Sequence, residues 1–330
     1  MNLGSPEAPT APAVRRYLRE FLGDPRVLDL PAPLRWLLLE ALILPFRPRR
    51  SAAQYSSIWT PQGSPLLVHG RALRDALAKR LGEGFRVELA MRYGEPAIRS
   101  GLEALLRADV TRIRVVPLFP QYASASTGSA LARVFEVAGE LWNVPALEVV
   151  AESYADEPGF VASLAAVARP ALDAFRPDFV LLSYHGLPER HVRKSDATGT
   201  HCLARPDCCE ALGPANRFCY RAQCLATSRA LAAALELPPE RHSTAFQSRL
   251  GRDPWIAPYT DRVLPELAAR GVRRLAVLCP SFVADCLETL EEIGVRAREQ
   301  WRALGGAELL LVPCLNAHPR WVDTLAGWLQ

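Results

Sequence analysis

The chain lacks several features that mark whole classes of protein. Its net charge is only +4 over 330 residues, and the basic residues are spread along the chain, which argues against a nucleic-acid-binding protein. The opening stretch, MNLGSPEAPTAP, has neither a basic start nor an apolar core, so it does not resemble a secretion signal. No Gly-x-Gly-x-x-Gly turn or Walker loop follows a strand candidate, so we expect no bound nucleotide.

Long apolar runs are also missing. The longest, Leu34–Phe46, is about 13 residues and contains Arg35 and Glu40, so it is too short to span a bilayer. The arginine-rich stretch RPRR (47–50) follows it. Two interpretations stay open: a core helix with a basic end, or the lip of a ligand cleft that rests on anionic lipid. We expect a cytoplasmic protein, peripheral to the inner membrane under the second interpretation.

The apolar content that is present is enough for two hydrophobic cores. At 49% hydrophobic, 330 residues exceed the usual size of one domain. Short β-branched runs alternate with longer segments of helical period, which predicts an α/β fold of two doubly wound, Rossmann-like domains with parallel sheets and a cleft between them. The predicted strands are Arg86–Met91, Ile113–Leu118, Glu148–Ala151, Asp178–Tyr184, Ser243–Phe246, Leu275–Cys279 and Leu309–Val312.

The periodicity breaks once, at ESYADEPG (152–159). We therefore place an N-terminal domain at 1–152, completed by a returning strand in 308–330, and a C-terminal domain at 153–307. The segment Val283–Trp301 is predicted to be a single helix. Because parallel sheets bind ligands beyond the carboxyl ends of their strands, the residues just after each strand are the site candidates.

Two of these strand ends carry titratable side chains. His185 directly follows an apolar strand, where an imidazole can accept a proton or bind a metal, or be a buried structural histidine. Helical spacing predicts that Asp285, Glu288 and Glu292 share one face, which is either a solvated stripe or a group that handles protons and cations. The position of Asp285 and Glu288 after a strand favours the second interpretation, and Glu291 at the edge of the face stays ambiguous.

Cysteine is concentrated in one segment. Eight cysteines in a large chain without a secretion signal favour metal binding or catalysis over disulfides. Most of them fall in HCLARPDCCEALGPANRFCYRAQC: Cys202, Cys208, Cys209, Cys219 and Cys224. Thiolates suit zinc or a [2Fe–2S] cluster, and the spacing lacks the paired hooks of a zinc ribbon. A metal-free loop of reduced thiols is the third alternative.

Seven stretches, in order along the chain, closely resemble the bacterial ferrochelatases. They are NLGSPEAPT, YSSIWTPQGSPL, AMRYGEP, PLFPQYASASTGS, LLSYHGLPERH, FQSRLGRDPWIAPYTD and CPSFVADCLETLEEI. The resemblance implies a chelatase fold and an enzyme that inserts Fe(II) into protoporphyrin IX, the last step of haem synthesis. A porphyrin loses two N–H protons as iron enters, which agrees with a base beside carboxylates.

The resemblance also implies roles for individual residues. His185 matches the catalytic histidine of the family and Glu288 its partner carboxylate, both of which also contact the iron substrate, and we place Asp285 with them. Residues expected near the porphyrin or the metal path are Tyr55, Arg92, Tyr93, Tyr122, Ser126 and Trp255. Some bacterial members hold a [2Fe–2S] cluster in an internal cysteine group, so we expect a cluster on four of the five cysteines above, with Cys208 or Cys209 as the spare.

Two departures from the family pattern stand out. Members carry a strand before NLGSP, so we expect the first strand to be absent here or the start codon to be misassigned. Ala125 stands where animal members have a cluster-ligating cysteine, and the tail DTLAGWLQ has none, so an animal-type cluster is not expected. Alternative functions are a chelatase for another metal or tetrapyrrole, such as coproporphyrin or sirohydrochlorin, and a carrier of tetrapyrrole or metal without turnover.

Overall fold

The computed structural model describes residues 1–251 and 253–330, which form two compact units. The first unit comprises Met1–Phe119, Ser124–Glu152 and Leu325–Gln330, and the second comprises Pro120–Ala123 and Ser153–Thr324. Both units are built from parallel strands and helices, so the predicted α/β class is confirmed. Arg252, in the stretch quoted after Phe246, lies outside the described residues.

The first unit contains two pairs of short parallel strands with helices between them. Strand β1 pairs with β2, and β3 pairs with β4. The elements are β1 Asn2–Gly4, α1 Ala11–Gly23, α2 Ala32–Leu37, a π-helical segment Leu38–Ile43, α3 Arg47–Ile58, α4 Pro65–Leu81, β2 Met91–Tyr93, α5 Ile98–Arg107, β3 Ile113–Val115, a second π-helical segment Ser124–Gly128, α6 Ser129–Glu140 and β4 Leu147–Val149.

Two sequence-based expectations concern the strands of this unit. The family strand before NLGSP was expected to be absent or lost to a misassigned start codon, and the structure has a short strand, β1, within NLGSP itself at Asn2–Gly4. The strand predicted at Arg86–Met91 instead spans Met91–Tyr93. The register explains the shift. The pairing of the two strands begins with Asn2 opposite Met91, so residues 86–90 have no partner strand among the described residues. An extended segment without a partner strand forms no ladder of hydrogen bonds.

The second unit has a single four-stranded parallel sheet in the order β6-β5-β7-β8. Helices α7 and α9 pack against each other, and α10 packs against α12. The elements are α7 Pro158–Phe175, β5 Phe179–His185, α8 Glu189–Lys194, α9 Tyr220–Leu235, a 3₁₀ turn Pro239–Arg241, β6 His242–Gln247, α10 Thr260–Ala269, β7 Arg274–Leu278, α11 Leu287–Leu290, a π-helical segment Glu292–Ala297, α12 Arg298–Ala303 and β8 Glu308–Leu311. Helix α13, Pro319–Leu329, ends the chain.

The strand order places a topological switch point at β5. The chain leaves β5 for β6 on one side and later returns to β7 on the other. Connections diverge at such a point and open a crevice beyond the carboxyl ends of the strands. His185 is the last residue of β5, so the fold puts this imidazole at the position where ligands of parallel sheets bind.

Two further expectations about this unit were wrong. Strand β8 pairs with β7 and does not return to the first domain; only 325–330 belong to the first unit. The single helix predicted over Val283–Trp301 is broken into α11, a π-helical segment and α12. Thr289 Oγ1 accepts the backbone N–H of Cys286, which caps α11, and Arg296 N donates to Glu291 O five residues back, which widens the helix.

A buried ion pair ties helix α1 to strand β2 in the first unit. Asp24, 6% exposed, accepts hydrogen bonds from Arg92 Nη2 at 2.7 Å and from the Tyr93 hydroxyl at 2.9 Å. Ser129 Oγ also donates to this carboxylate. Burial acts to raise the pKa of Asp24, but the hydrogen bonds from Ser129, Arg26 N and Tyr93 and the charge of Arg92 hold it below its usual value.

We predict that Asp24→Asn lowers the free energy of unfolding by about 3 kcal/mol at pH 7, because it leaves the largely buried Arg92 charge unpaired. The folded-state pKa of Asp24 is depressed, so its contribution is complete above the unfolded value of about 3.9 and is lost as the pH falls through the folded value. Urea unfolding at several pH values should therefore show a gap between wild type and variant that narrows below about pH 4. Asp75→Asn is the control, because Asp75 is an exposed partner of Arg74, and equal losses in both variants would contradict the prediction.

Candidate functional site

His185 is held in one tautomer by its own loop. Its ring Nδ1 lies 2.6 Å from the Gly186 carbonyl oxygen. Because a carbonyl oxygen only accepts, Nδ1 carries the hydrogen and the lone pair of the imidazole is on Nε2. The His185 backbone N–H donates to Ser281 Oγ at 3.1 Å, which anchors the strand end. The half-buried side chain therefore offers Nε2 as a proton acceptor or metal ligand.

Gly186 makes room for the groups that surround the histidine. A Cβ at this position would lie 2.8 Å from the Gln247 carbonyl oxygen and 3.1 Å from Trp255 Cε3. Its φ angle is not in the left-handed region, so the glycine serves close approach and not an unusual backbone angle. Trp255 pairs its backbone with Pro188, and its indole N–H has no hydrogen-bond partner among the described residues.

Two aromatic rings flank the imidazole. The ring centroids of Trp255 and Phe282 lie 6.4 Å and 6.3 Å from that of His185. Both side chains are partly exposed, so together with the imidazole they form a largely apolar surface at the carboxyl end of β5. Such a surface suits a flat, apolar ligand.

Glu288 lies in the first turn of helix α11, which follows β7. Its side chain is half-buried, and its backbone carbonyl accepts a hydrogen bond from Gln247 Nε2 at 2.7 Å. The thiol of Cys286 lies within hydrogen-bonding reach of the Glu288 carboxylate; burial first, and then this carboxylate, raises the pKa of Cys286. The Cys286 thiol therefore stays protonated and can donate a hydrogen bond to this carboxylate.

Asp285 precedes the helix and faces the loop after β8. Its carboxylate is 6% exposed and accepts hydrogen bonds from Asn316 Nδ2 at 2.7 Å and Thr289 Oγ1 at 3.1 Å. In return the Asp285 backbone N–H donates to Asn316 Oδ1 at 2.9 Å. The prediction that Asp285, Glu288 and Glu292 share one helical face was wrong, because the helix starts after Cys286.

The remaining two carboxylates of this stretch are occupied by structural contacts. Glu291 is 6% exposed and accepts Arg296 Nε at 2.9 Å through both oxygens. Glu292 accepts the backbone N–H of Ser248 at 2.8 Å and its hydroxyl at 2.6 Å. Both therefore stabilise the turn between α11 and α12 and the loop after β6.

Tyr122 is anchored by one residue of helix α9 and by one that precedes the helix. Its backbone N–H donates to Gln223 Oε1 at 2.6 Å, and its ring centroid lies 4.9 Å from that of Phe218. Gln223 is 2% exposed and donates through Nε2 to the Arg217 carbonyl at 2.5 Å. Phe218 directly precedes Cys219, so the cysteine segment and the Tyr122 loop are in direct contact.

The other sequence-predicted contact residues belong to the first unit. Tyr55 is 8% exposed and packs edge-on against Trp59. Arg92 and Tyr93 are tied to the buried Asp24, and burial raises the pKa of the Tyr93 hydroxyl. Ser126 lies in the π-helical segment Ser124–Gly128. These four residues thus belong to the first unit, whereas His185, Trp255 and Glu288 belong to the second.

Four of the five clustered cysteines contact one another. The Cys219 thiol lies within hydrogen-bonding reach of those of Cys202 and Cys209, and Cys209 Sγ lies 3.6 Å from Cys208 Sγ. Cys224, on helix α9, is fully buried against the Tyr220 hydroxyl. Burial raises the pKa of Cys202, Cys208 and Cys224, and the contact with Cys219 together with burial raises that of Cys209.

None of the eight cysteines forms a disulfide. Across residues 1–251 and 253–330, no group of three or more His, Cys, Asp or Glu side chains is arranged to hold a metal ion. The four contacting thiols form a chain, Cys202 to Cys219 to Cys209 to Cys208, and not a preformed cage.

Side chains close the backbone of the cysteine segment on itself. The Asp196 carboxylate accepts the backbone N–H groups of Thr198, His201 and Cys202 at 2.7–2.9 Å, which lowers its pKa. Farther along, Asn216, 3% exposed, donates through Nδ2 to the carbonyls of Cys208 and Ala211. The segment is thus compact without a strand or a long helix of its own.

The apolar run Leu34–Phe46 buries Leu39 and Leu44 but leaves most of its other large side chains exposed, unlike a core helix. Its two charged residues have partners within the chain: Arg35 Nη1 donates to the Leu30 carbonyl at 2.8 Å, and Glu40 forms an exposed ion pair with Arg19 at 2.7 Å. The exposed side chains are the large apolar ones, at 50–74%: Leu34, Trp36, Leu37, Leu42 and Phe46. In the part of the chain that the structure describes, no helix has the length and apolar character to cross a membrane.

Gln247 is a site residue that the sequence offered only as one of several polar and aromatic groups in FQSRLGRDPWIAPYTD that suit a flat ligand. It ends β6 opposite His185, and its side chain reaches both Ser183 and the Glu288 carbonyl. Its position after an apolar strand was a usable signal, but neutral amides carry no charge pattern that distinguishes them from ordinary loop residues.

Comparison with known proteins identifies the family. The ferrochelatase family model matches residues 1–330. A ferrochelatase of Coxiella burnetii is 48% identical over 326 residues, which cover 99% of this chain and 90% of the relative. One from Legionella pneumophila is 46% identical, covering 98% of this chain and 96% of the relative. Among solved structures, SirB from Bacillus subtilis with Fe3+ is a distant likeness, with a TM-score of 0.49, 14% identity and coverage of 81% of this chain and 90% of that chain.

Proposed function

The chain belongs to the ferrochelatase family and inserts Fe(II) into protoporphyrin to form haem, and we propose that His185 and Glu288 carry the proton and metal transfer. The observation that carries the proposal is the hydrogen bond from His185 Nδ1 to the Gly186 carbonyl. In the neutral imidazole this bond places the lone pair on Nε2, which is where a base or a metal ligand needs it.

The reaction requires two protons to leave the porphyrin as one dication enters. His185 Nε2 accepts a pyrrole proton, and the half-buried Glu288 carboxylate takes a proton onward or contacts the incoming Fe(II). Trp255 and Phe282 supply the apolar surface against which a porphyrin face packs. A carrier of porphyrin or iron would need the apolar surface but not the base.

Asp285 was expected in the catalytic group, but its contacts favour a positioning role. Both of its oxygens already accept hydrogen bonds, from Asn316 and from Thr289 and the Cys314 backbone. We therefore propose that Asp285 orients the start of helix α11, and so the side chain of Glu288, and does not itself exchange protons with the substrate.

The residues proposed to contact the porphyrin differ in the observations that support them. Tyr122 and Trp255 lie in the same unit as His185 and have partly exposed side chains. Arg92 is engaged with Asp24, and Tyr93 is fully buried, which favours an indirect role for that tyrosine. Tyr55 and Ser126 are proposed as contacts on the resemblance to the family alone.

We predict that His185→Ala abolishes iron insertion and that Glu288→Gln lowers kcat by about 100-fold, the usual cost of losing a positioned proton acceptor. The measurement is an anaerobic assay with Fe(II) and protoporphyrin, read by the shift of the Soret band. His242→Ala is the control for an imidazole elsewhere in the second unit, since its Nδ1 faces only the Pro238 carbonyl. Full turnover in His185→Ala would exclude the assignment, and porphyrin binding without turnover in the wild type would favour a carrier.

We propose that Cys202, Cys208, Cys209 and Cys219 hold a [2Fe–2S] cluster in this chain. The support is the chain of thiol contacts, which links these four and leaves Cys224 inside helix α9. Four thiolates are the donor set that such clusters use, and the protonated thiols would lose their protons on binding. Iron insertion involves no net electron transfer, so the role of the cluster would be structural or regulatory.

We predict that anaerobically purified protein is reddish and contains about two irons and two sulfides per chain. Cys219→Ser, at the centre of the contact chain, should lose the colour and the iron, whereas Cys224→Ser should keep both. Visible absorption and iron and sulfide analysis distinguish the two variants. A colourless protein that contains zinc would favour the zinc alternative. Loss of colour and iron in Cys224→Ser, with both kept in Cys208→Ser or Cys209→Ser, would show that Cys224 is a ligand and that Cys208 or Cys209 is the spare cysteine.

We propose that the exposed apolar run Leu34–Phe46 rests on an anionic membrane surface. Its charged members are paired within the protein, while Trp36 and Phe46 are 65% and 74% exposed. The arginines that follow, at 47–50, would meet anionic headgroups. Peripheral contact would shorten the aqueous path of a poorly soluble substrate and product.

We predict that the double variant Trp36→Ser with Phe46→Ser binds vesicles containing phosphatidylserine at least tenfold more weakly than wild type. Each large apolar side chain contributes about 1.5–3 kcal/mol when buried, more than the 1.4 kcal/mol that a factor of ten requires. Co-sedimentation with and without phosphatidylserine is the measurement. Trp142→Ser is the matched control, because Trp142 is 98% exposed elsewhere in the same unit. Vesicle binding that changes neither with lipid charge nor with salt, and that is the same in both variants, would contradict the membrane proposal.

A further inference from the structure

Gln247 has a buried side chain whose amide makes hydrogen bonds on both its oxygen and its nitrogen, next to the candidate site. It is 3% exposed. Its Oε1 accepts the Ser183 hydroxyl at 2.7 Å, and its Nε2 donates to the Glu288 carbonyl at 2.7 Å. The Cys279 thiol also points at Oε1, at 3.8 Å. The amide therefore bridges strand β5, the end of β7 and helix α11.

The backbone of the same residue holds the histidine loop. The Gln247 carbonyl accepts the Gly186 N–H at 2.8 Å, and Gln247 lies opposite His185 in the β5–β6 register. One residue thus contacts the carbonyl of Glu288 through its side chain and the neighbour of His185 through its main chain. Gln247 therefore links the two residues proposed to react, His185 and Glu288.

The turn after Gln247 is strained in a way that fixes its orientation. Ser248 has a φ of 67°, in the left-handed region that a residue with a side chain adopts at a cost. Two hydrogen bonds from Ser248 to Glu292 offset that cost. Glu292 is also 3.4 Å from Gln247 Nε2, so the carboxylate helps set which end of the amide faces α11.

We propose that Gln247 is a positioning residue for metal insertion, which sets the placement of Glu288 relative to His185 without touching the substrate. The inference rests on the proposed roles of those two residues. An amide suits this task because it has both an acceptor for Ser183 and a donor for the Glu288 carbonyl. A misplacement of about 1 Å in a reacting group is enough to cost about 100-fold in rate.

The test is Gln247→Met, which keeps about the length of the side chain and removes the amide contacts to Ser183, Glu288, Glu292 and Cys279. We expect kcat to fall about 10-fold to 100-fold while KM for protoporphyrin changes less than about threefold, because the porphyrin surface is left intact. Gln300→Met, whose amide donates only to the Asp261 carbonyl, is the matched control and should leave both constants unchanged. Equal kcat in Gln247→Met and wild type would overturn the proposal.

A double variant separates positioning from a general loss of structure. If Gln247 acts through Glu288, Gln247→Met combined with Glu288→Gln should be no slower than Glu288→Gln alone, whereas independent effects would multiply. Multiplying losses, or a KM that rises as kcat falls, would contradict the proposal. Should Gln247→Met fail to fold, Ser183→Ala removes the hydroxyl that contacts Gln247 Oε1 and Thr260 Oγ1 but leaves the bond from Gln247 Nε2 to the Glu288 carbonyl. It should give a smaller drop in kcat with the same unchanged KM.

The same assays distinguish this inference from the function on which it rests. Full turnover in His185→Ala and Glu288→Gln would remove the proposed function itself. Loss of turnover in those two variants, with normal kcat in Gln247→Met, would remove only the positioning role.

Discussion

The pairing of His185 with Gln247 at the ends of two parallel strands is the contact around which the second unit is organised. The ladder continues by one bond beyond the strand, from Gly186 N–H to the Gln247 carbonyl. That bond brings the histidine loop next to the residue that holds α11, and it is short enough that a side chain at position 186 would collide with the carbonyl. The imidazole tautomer, the Trp255 wall and the start of α11 all depend on this close approach.

The parts of the fold that follow from apolar periodicity could be predicted from the sequence. The run ending at His185 is buried on both faces of its sheet, so it appears as a continuous apolar stretch, and strand β5 differs from the prediction by one residue at each end. The same holds for β7, where Leu275 and Val277 are buried between helices. The placement of His185 followed from the general rule about strand ends, and its role from the resemblance to a family.

The parts that depend on local hydrogen bonds could not be predicted. Apolar spacing over Val283–Trp301 suits a continuous helix, but Thr289 caps it at Cys286 and Glu291 holds the widened turn through Arg296. These bonds move Asp285 off the helix and into a loop network with Asn316, which no period reveals. The contacts among the cysteines could not be predicted either. The sequence offered five candidate ligands, and the folded structure shows that four of the thiols are in contact while Cys224 lies in a helix.

The closed backbone of the cysteine segment has an evolutionary consequence. At the start of the segment, the Asp196 carboxylate accepts hydrogen bonds from the backbone N–H groups of His201 and Cys202. At its end, the Gln223 side chain bonds to the backbone of Tyr122 and Arg217. Between these two anchors the chain contributes no strand to the sheet, and lengthening such a loop costs only about 0.6 kcal/mol per doubling. Insertions, deletions or the loss of individual thiols between the anchors would therefore leave β5 and α9 in place, so this segment could change in length and cysteine content between lineages while the residues around His185 stay the same.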